Sequence, residues 1–297
     1  MAEILVIHTG GTIGMVSGAE GLVPAAGVVE QALAAMAPRD LEITVEAFDP
    51  LVDSAEMGPA HWNRIIDLIA GFRGRGVIVT HGTDTMAFTG AALTQALAGI
   101  GLPVVLCGAM QPLRMGGDAE GNLALALDAA TTAAAGVWLA FAGRVMPAAG
   151  LVKHDSQGDD AFRSVPQEPV TAPFGPRRFA PARLAILTLS PGLPAAMIGA
   201  ALAELDGAVL RVFGAGTVMT NPALEQVLAE AVARGCRIRA VSQCETGGLV
   251  PGAYAAGAPL WRAGVTNGGT ETAEAALARL WLDLSEPAMA LGYSPQG

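Results

Sequence analysis

The sequence predicts an α/β protein: a parallel-sheet N-terminal domain with helices on both faces, plus a smaller α/β C-terminal domain. Three observations carry this. Short, continuously apolar runs at 4–8, 77–80 and 103–107 read as strands buried on both sides. Helical periods lie between them, such as Trp62, Ile65, Ile66 and Ile69. That β-α-β order implies parallel pairing through right-handed crossovers. Residues 165–182 then bring five prolines before the pattern resumes. Proline at that density marks an extended linker. The domains are therefore read as 1–175 and 176–297, with the linker at about 165–183.

Taken in order, Ile4-Leu5-Val6-Ile7-His8 is the first strand, and Thr9-Gly10-Gly11-Thr12-Ile13-Gly14 is the turn after it. Ligands of open parallel sheets sit just beyond the carboxyl ends of the strands. Adjacent glycines admit positive φ and close approach to the main chain. Residues 14–25 hold three glycines and no period, and read as a surface loop able to move over the site. Val28 to Met36 is a short helix, and Leu41 to Phe48 alternates as a strand. Residues 53–57 form a loop. A helix then starts near Gly58-Pro59, with proline at its first position. The strand at 77–80 ends in His81-Gly82-Thr83-Asp84-Thr85-Met86.

A helix over 85–97 follows, then a strand at 103–107 with Gly108-Ala109-Met110 as its exit loop. A helix over 118–131 and a strand at 137–141 come next. Residues 142–164 turn polar and irregular and contain Lys153; they read as a hairpin or long loop returning to the sheet edge. Beyond the linker, strands fall at 184–189, near 208–213 and at 237–242. The helix between the last two has Asn221 as its cap, Pro222 at its first position and Gly235 at its end. A final helix spans about 270–284.

Composition narrows the function. Hydrophobic residues make up 52% of 297 and charged residues 15%, which is a dense globular composition. No apolar run of membrane-spanning length occurs. The first residues hold no basic segment before an apolar stretch, so no signal peptide is expected. Three cysteines, an odd number, suit reduced thiols in a cytoplasm. No CxxC or paired His/Cys spacing points to a metal. A net charge of −10 suits neither RNA nor DNA, because phosphate neutralisation needs Lys/Arg clusters. Gly10-Gly11-x-x-Gly14 misses the dinucleotide spacing, and Glu30 is an unconvincing ribose partner. No G-x-S-x-G elbow exists, so His8 and His81 read as core imidazoles at strand ends.

Thr-Gly-Gly-Thr-Ile at 9–13 and His-Gly-Thr-Asp-Thr-Met at 81–86 together resemble the two signatures of the bacterial-type L-asparaginases. Pro50 to Met57, Gly108-Ala109-Met110 and Lys153 extend the resemblance. It implies hydrolysis of the side-chain amide of L-asparagine to aspartate and ammonia, without a cofactor. Thr12 would be the nucleophile of an acyl-enzyme mechanism. Thr83, Asp84 and Lys153 would form the second catalytic group. Gly11, Asp53, Ser54, Ala55, Gly82, Thr83, Asp84 and Ala109 would surround the substrate. In the family, the serine matching Ser54 holds the α-carboxylate and the aspartate matching Asp84 the α-ammonium. The Ala109 main-chain carbonyl would hold the leaving nitrogen.

The resemblance also implies a homodimer or homotetramer, in which a stretch such as Gln243 to Tyr254 of one subunit closes the site of another. The family uses the region matching 14–25 as a lid, often bearing a tyrosine. This chain has none there; its two tyrosines are Tyr254 and Tyr293. Ala55 and Ala87 stand where exported members tend to carry glutamine and glutamate. With the expected lack of a signal peptide, this makes the chain resemble the cytoplasmic, type I-like branch. Two other readings share the core: a subunit of a tRNA-dependent amidotransferase, which the acidic balance disfavours, and a non-catalytic asparagine sensor.

Overall fold

A computed structural model describes residues 2–286; Tyr293 lies outside them. The chain splits into two compact units, one ending at Arg177 and one starting at Arg178. In the first unit the elements are β1 (Ala2–His8), β2 (Met15–Gly18), β3 (Gly21–Pro24), α1 (Val28–Met36), β4 (Leu41–Ala47), α2 (Pro59–Gly71) and β5 (Gly76–Thr80). They continue with α3 (Met86–Ala96), β6 (Pro103–Cys107), α4 (Ala119–Thr132), β7 (Gly136–Phe141), β8 (Arg144–Pro147), β9 (Leu151–Lys153) and β10 (Phe162–Ser164). The main sheet has the order β4-β1-β5-β6-β7-β8. Its pairs are parallel except for β8, which runs antiparallel to β7.

The central strands carry continuous apolar runs, Ile4 to Ile7, Val77 to Val79 and Val104 to Cys107, because both their faces are covered. Val77, Ile78 and Val79 have no exposed surface, and burying each such side chain contributes roughly 1.5–3 kcal/mol. Side chains alternate between faces with period two. Ile4, Val6, Ile78 and Val105 thus share one face, where they pack with Val29 and Leu33 of α1 and with Leu123 and Ala126 of α4. α3 is buried almost all round. It packs against β7, β9 and the turn at Ala148–Gly150. Its small residues permit this: a side chain at Gly90 would meet the Ala148 carbonyl oxygen at 2.9 Å.

Two expectations are refined here. Residues 14–25 are not an irregular loop. β2 and β3 pair antiparallel, from Met15 opposite Pro24 to Gly18 opposite Gly21. Val16, Leu22 and Val23 are all exposed, so neither face is buried and no apolar alternation betrays the hairpin. Residues 142–164 resolve into the edge strand β8, a 3-10 turn at Ala148–Gly150 and the antiparallel pair β9–β10. This excursion carries the strand that bears Lys153 back against α3.

The second unit holds β11 (Leu184–Thr188), α5 (Ala195–Ala203), β12 (Gly207–Val212), α6 (Pro222–Ala233), β13 (Arg237–Ser242), α7 (Ala258–Arg262), β14 (Thr266–Asn267) and α8 (Ala273–Ser285). Its strands are parallel and in sequential order. α5, α6 and α7 cover one face and α8 the other. Asn221 caps α6 by accepting from Ala223 N–H at 3.0 Å, and Thr272 caps α8 from Ala275 N–H at 3.2 Å. No helix among the described residues is long and apolar enough to cross a membrane.

Candidate active site

The chain leaves β1 outward to β4, then returns on the other side of β1 to form β5. A reversal of this sort opens a crevice between the carboxyl ends of the two strands involved. The turns at 9–14 and 81–86 leave those two ends. They are stitched to each other and to the loop at 48–57. Thr9 donates to the Thr80 carbonyl through its N–H at 3.2 Å and its hydroxyl at 2.7 Å. Val52 N–H donates to the Thr9 carbonyl at 2.7 Å.

Two glycines make the contact possible. Gly11 has φ +89, and a Cβ there would lie 2.5 Å from Gly82 N. A Cβ on Gly82 would lie 2.6 Å from Ser54 Oγ. The first two turns therefore meet main chain to main chain at Gly11 and Gly82, and the Ser54 side chain of the third loop packs directly on Gly82, with no room for a further side chain at either glycine. Thr12 follows Gly11 and Thr83 follows Gly82, so each threonine is one residue from the same contact. Thr12 is half-buried and opens a 3-10 turn, Thr12–Gly14; Thr83 is buried.

Lys153 closes the group from β9. Its Nζ donates to Thr83 Oγ1 at 2.9 Å and to Asp84 Oδ1 at 2.6 Å. The lysine side chain is only 16% exposed, whereas that of Asp84 is 71% exposed. Because Thr83 accepts from the lysine, its own hydroxyl hydrogen is free to donate elsewhere. Ser54 is buried, and its carbonyl accepts from Thr85 Oγ1 at 2.6 Å. Asp53 and Ala55 are exposed; the Asp53 carboxylate accepts from Ala55 N–H at 2.9 Å and caps the turn at Ser54–Glu56. Ala109 is buried in a fourth loop at the same place. A Cβ on its neighbour Gly108 would meet the His81 carbonyl oxygen at 2.5 Å and lie 3.6 Å from Thr83 Cγ2.

Sequence reasoning did not anticipate the supports of this site: Trp62, Thr85, Thr89, Asp118 and Asn122. Their partners lie on other elements, so no spacing announces them. One chain of bonds is directional. The Trp62 indole N–H can only donate, and does so to Thr89 Oγ1 at 3.0 Å. His81 Nδ1 lies 2.7 Å from the Gly82 carbonyl, which can only accept, so Nδ1 carries the hydrogen. His81 Nε2 is then the acceptor of the Thr89 hydroxyl at 2.8 Å. His81 is a fully satisfied neutral imidazole holding the Gly82 peptide. His8 is also buried. Its Nδ1 pairs with Thr80 Oγ1 at 2.6 Å, while its Nε2 has no partner among the described residues.

Burial pushes the His81 pKa down from 6.5 to about 4, against the smaller opposing effect of its bond to Gly82. The unfolded chain therefore takes up this proton first. The His81 contribution to stability falls by about 3 kcal/mol as pH drops from 6.5 to 4 and is constant below. Urea unfolding across that range should show the loss in the native protein, and His81→Gln should make it smaller, leaving the part due to His8, whose pKa burial also lowers. An equal slope in the variant would remove His81 as its cause.

Comparison with known proteins gives a consistent set of matches. A family model described as asparaginase, N-terminal, matches residues 3–175, and one described as glutaminase/asparaginase C-terminal domain matches residues 183–288. The chain is 33% identical to L-asparaginase 1 of Escherichia coli strain K12, over 96% of this chain and 92% of that one. A crystal structure of L-asparaginase I from Vibrio cholerae superposes with a TM-score of 0.85 at 32% identity, covering 98% of this chain and 94% of that one. The thermostable L-asparaginase from Thermococcus kodakarensis gives 0.84 at 28% identity, covering 96% and 93%.

Proposed function

The chain belongs to the asparaginase family, and from that premise we propose that it hydrolyses L-asparagine to L-aspartate and ammonia with Thr12 as nucleophile. The observation that carries the reading is the Gly11–Gly82 contact, with Lys153 bonded to Thr83 and Asp84 beside it. Amide hydrolysis needs a nucleophile, a route for its proton and donors for the developing oxyanion. The Thr12 oxygen attacks the side-chain carbonyl carbon, the C–N bond breaks, and ammonia leaves with the proton Thr12 gave up. Water then hydrolyses the aspartyl ester on Thr12. Thr83, with Lys153 and Asp84, relays the proton of that water. The main chain at Gly11 and Gly82 faces the oxyanion.

The α-ammonium of the substrate pairs with Asp84, whose exposed carboxylate has room for a second cation. Ser54 takes the α-carboxylate. The Asp53 cap holds the loop that carries Ser54 in shape, and Ala55 offers a methyl where a longer polar side chain would add a contact. The reading extends to a cytoplasmic homodimer or homotetramer without cofactor. Three unpaired thiols, two of them buried, suit a reducing compartment. The amidotransferase-subunit reading is not favoured. The decisive assay is ammonia release by the purified protein from L-asparagine, L-glutamine and D-asparagine side by side. Turnover of L-asparagine is expected, with L-glutamine slower because one methylene is worth about 1–3 kcal/mol in such a pocket. Saturable binding of asparagine without turnover would replace the enzyme with a sensor.

A further inference from the structure

Two of the supporting side chains, Asp118 and Asn122, govern the exit loop of β6. Asp118 stands just before α4 and Asn122 on its first turn, a spacing of four that puts both on one side. Both Asp118 carboxylate oxygens accept from Met110 N–H, at 3.0 and 2.9 Å, and one also accepts from Gln111 N–H at 2.9 Å. Asn122 is 2% exposed. Its Nδ2 donates to the Gly108 carbonyl at 2.9 Å and to Asp118 Oδ2 at 3.0 Å, and its Oδ1 accepts from Ala142 N–H at 2.9 Å.

A peptide unit is planar, and its N–H and C=O point in opposite directions when it is trans. Asp49–Pro50 is the cis bond among the described residues. Met110 N–H and the Ala109 carbonyl belong to one trans unit. Holding that N–H on Asp118 aims the Ala109 carbonyl away from α4. Holding the Gly108 carbonyl on Asn122 fixes the Ala109 N–H in the same way. Both peptide planes around Ala109 are thus set by two side chains of one helix end. A carboxylate on the N–H also polarises the unit, which strengthens its carbonyl as an acceptor.

We propose that Asp118 and Asn122 are positioning residues: they fix the Ala109 carbonyl as the acceptor for an N–H of the departing amide, and so favour amides over esters of the same acyl group. The inference rests on the asparagine reading above. As the C–N bond breaks, the nitrogen must gain a proton, and an acceptor on one of its hydrogens turns its lone pair towards the donor. A β-methyl ester has no such hydrogen, and its leaving oxygen takes nothing from this carbonyl.

The test is kcat/KM of the full-length protein for L-asparagine and for L-aspartate β-methyl ester, with Asp118→Asn and Asn122→Ser beside the native chain. Asp118→Asn keeps the shape and removes the charge and one acceptor. The kcat/KM for asparagine, which reports the steps through C–N cleavage, should fall about tenfold, the worth of one aligned hydrogen bond. Ester turnover should fall less than about twofold, and it reports at the same time that the variant is folded. Equal losses on both substrates, or no loss on asparagine, overturn the proposal. If Asp118→Asn does not fold, the same ratio for Asn122→Ser decides. A native protein that turns over the ester but not asparagine overturns the asparagine reading, and this proposal with it.

Discussion

Thr12→Ala removes asparagine turnover, with kcat falling on the order of 10⁴-fold or more. A threonine hydroxyl is too weak an acid to ionise unaided at neutral pH, so the surroundings must take its proton as it attacks. Without that oxygen the acyl-enzyme route closes, and only slow direct attack by water remains. The change should leave the fold untouched. The turn at Thr12–Gly14 is held by main-chain atoms, Gly14 N–H donating to the Gly11 carbonyl at 3.2 Å. The tight Gly11–Gly82 approach does not involve the threonine side chain. The thermal midpoint should therefore stay close to that of the native chain, and calorimetry should still detect bound asparagine. An alanine variant that releases ammonia at the native rate would end the nucleophile assignment.

Lys153→Met is expected to lower kcat by about a thousandfold, within the range for losing a general acid–base group. Its Nζ bonds both Thr83 and Asp84. Methionine keeps the stem, which is mostly buried, and removes only the amine. The stability cost should be small, because the stranded Asp84 carboxylate is 71% exposed and water solvates it. Lys153→Arg separates two roles. A guanidinium keeps the charge and can donate to Thr83, but it does not give up its proton in a protein. If Lys153 acts only as a fixed charge, arginine restores activity; if it passes a proton, arginine stays near the methionine level. Steady-state rates for the three forms should show no rescue.

The signature turns were legible because their chemistry is local. A buried strand ending in glycine and hydroxyl residues writes itself into a few consecutive positions, as at Ile7 to Thr12 and Val79 to Thr83. Helix ends with a cap and a proline, such as Asn221-Pro222, were legible for the same reason. Other features had no local trace. The β2–β3 hairpin lies exposed on both faces and so lacks alternation. α5 reads Ala-Ala-Met-Ile-Gly-Ala-Ala-Leu-Ala, without a charge to mark its outer side, and β14 has only two residues. Lys153 sits on a three-residue strand, too short for any period, and only the family resemblance singled it out. The bonds of Asp118 and Asn122 join a helix end to a loop, and those of Thr89 join a helix to a histidine in another turn. Such contacts exist only once the chain is folded.

The most direct measurement maps the covalent adduct on the native protein. The enzyme is quenched in acid during turnover of L-asparagine, digested, and its peptides are weighed and fragmented. The account predicts an aspartyl ester on the hydroxyl of Thr12. An ester on Thr83 instead, or steady turnover in which no threonine carries the acyl group, would contradict it.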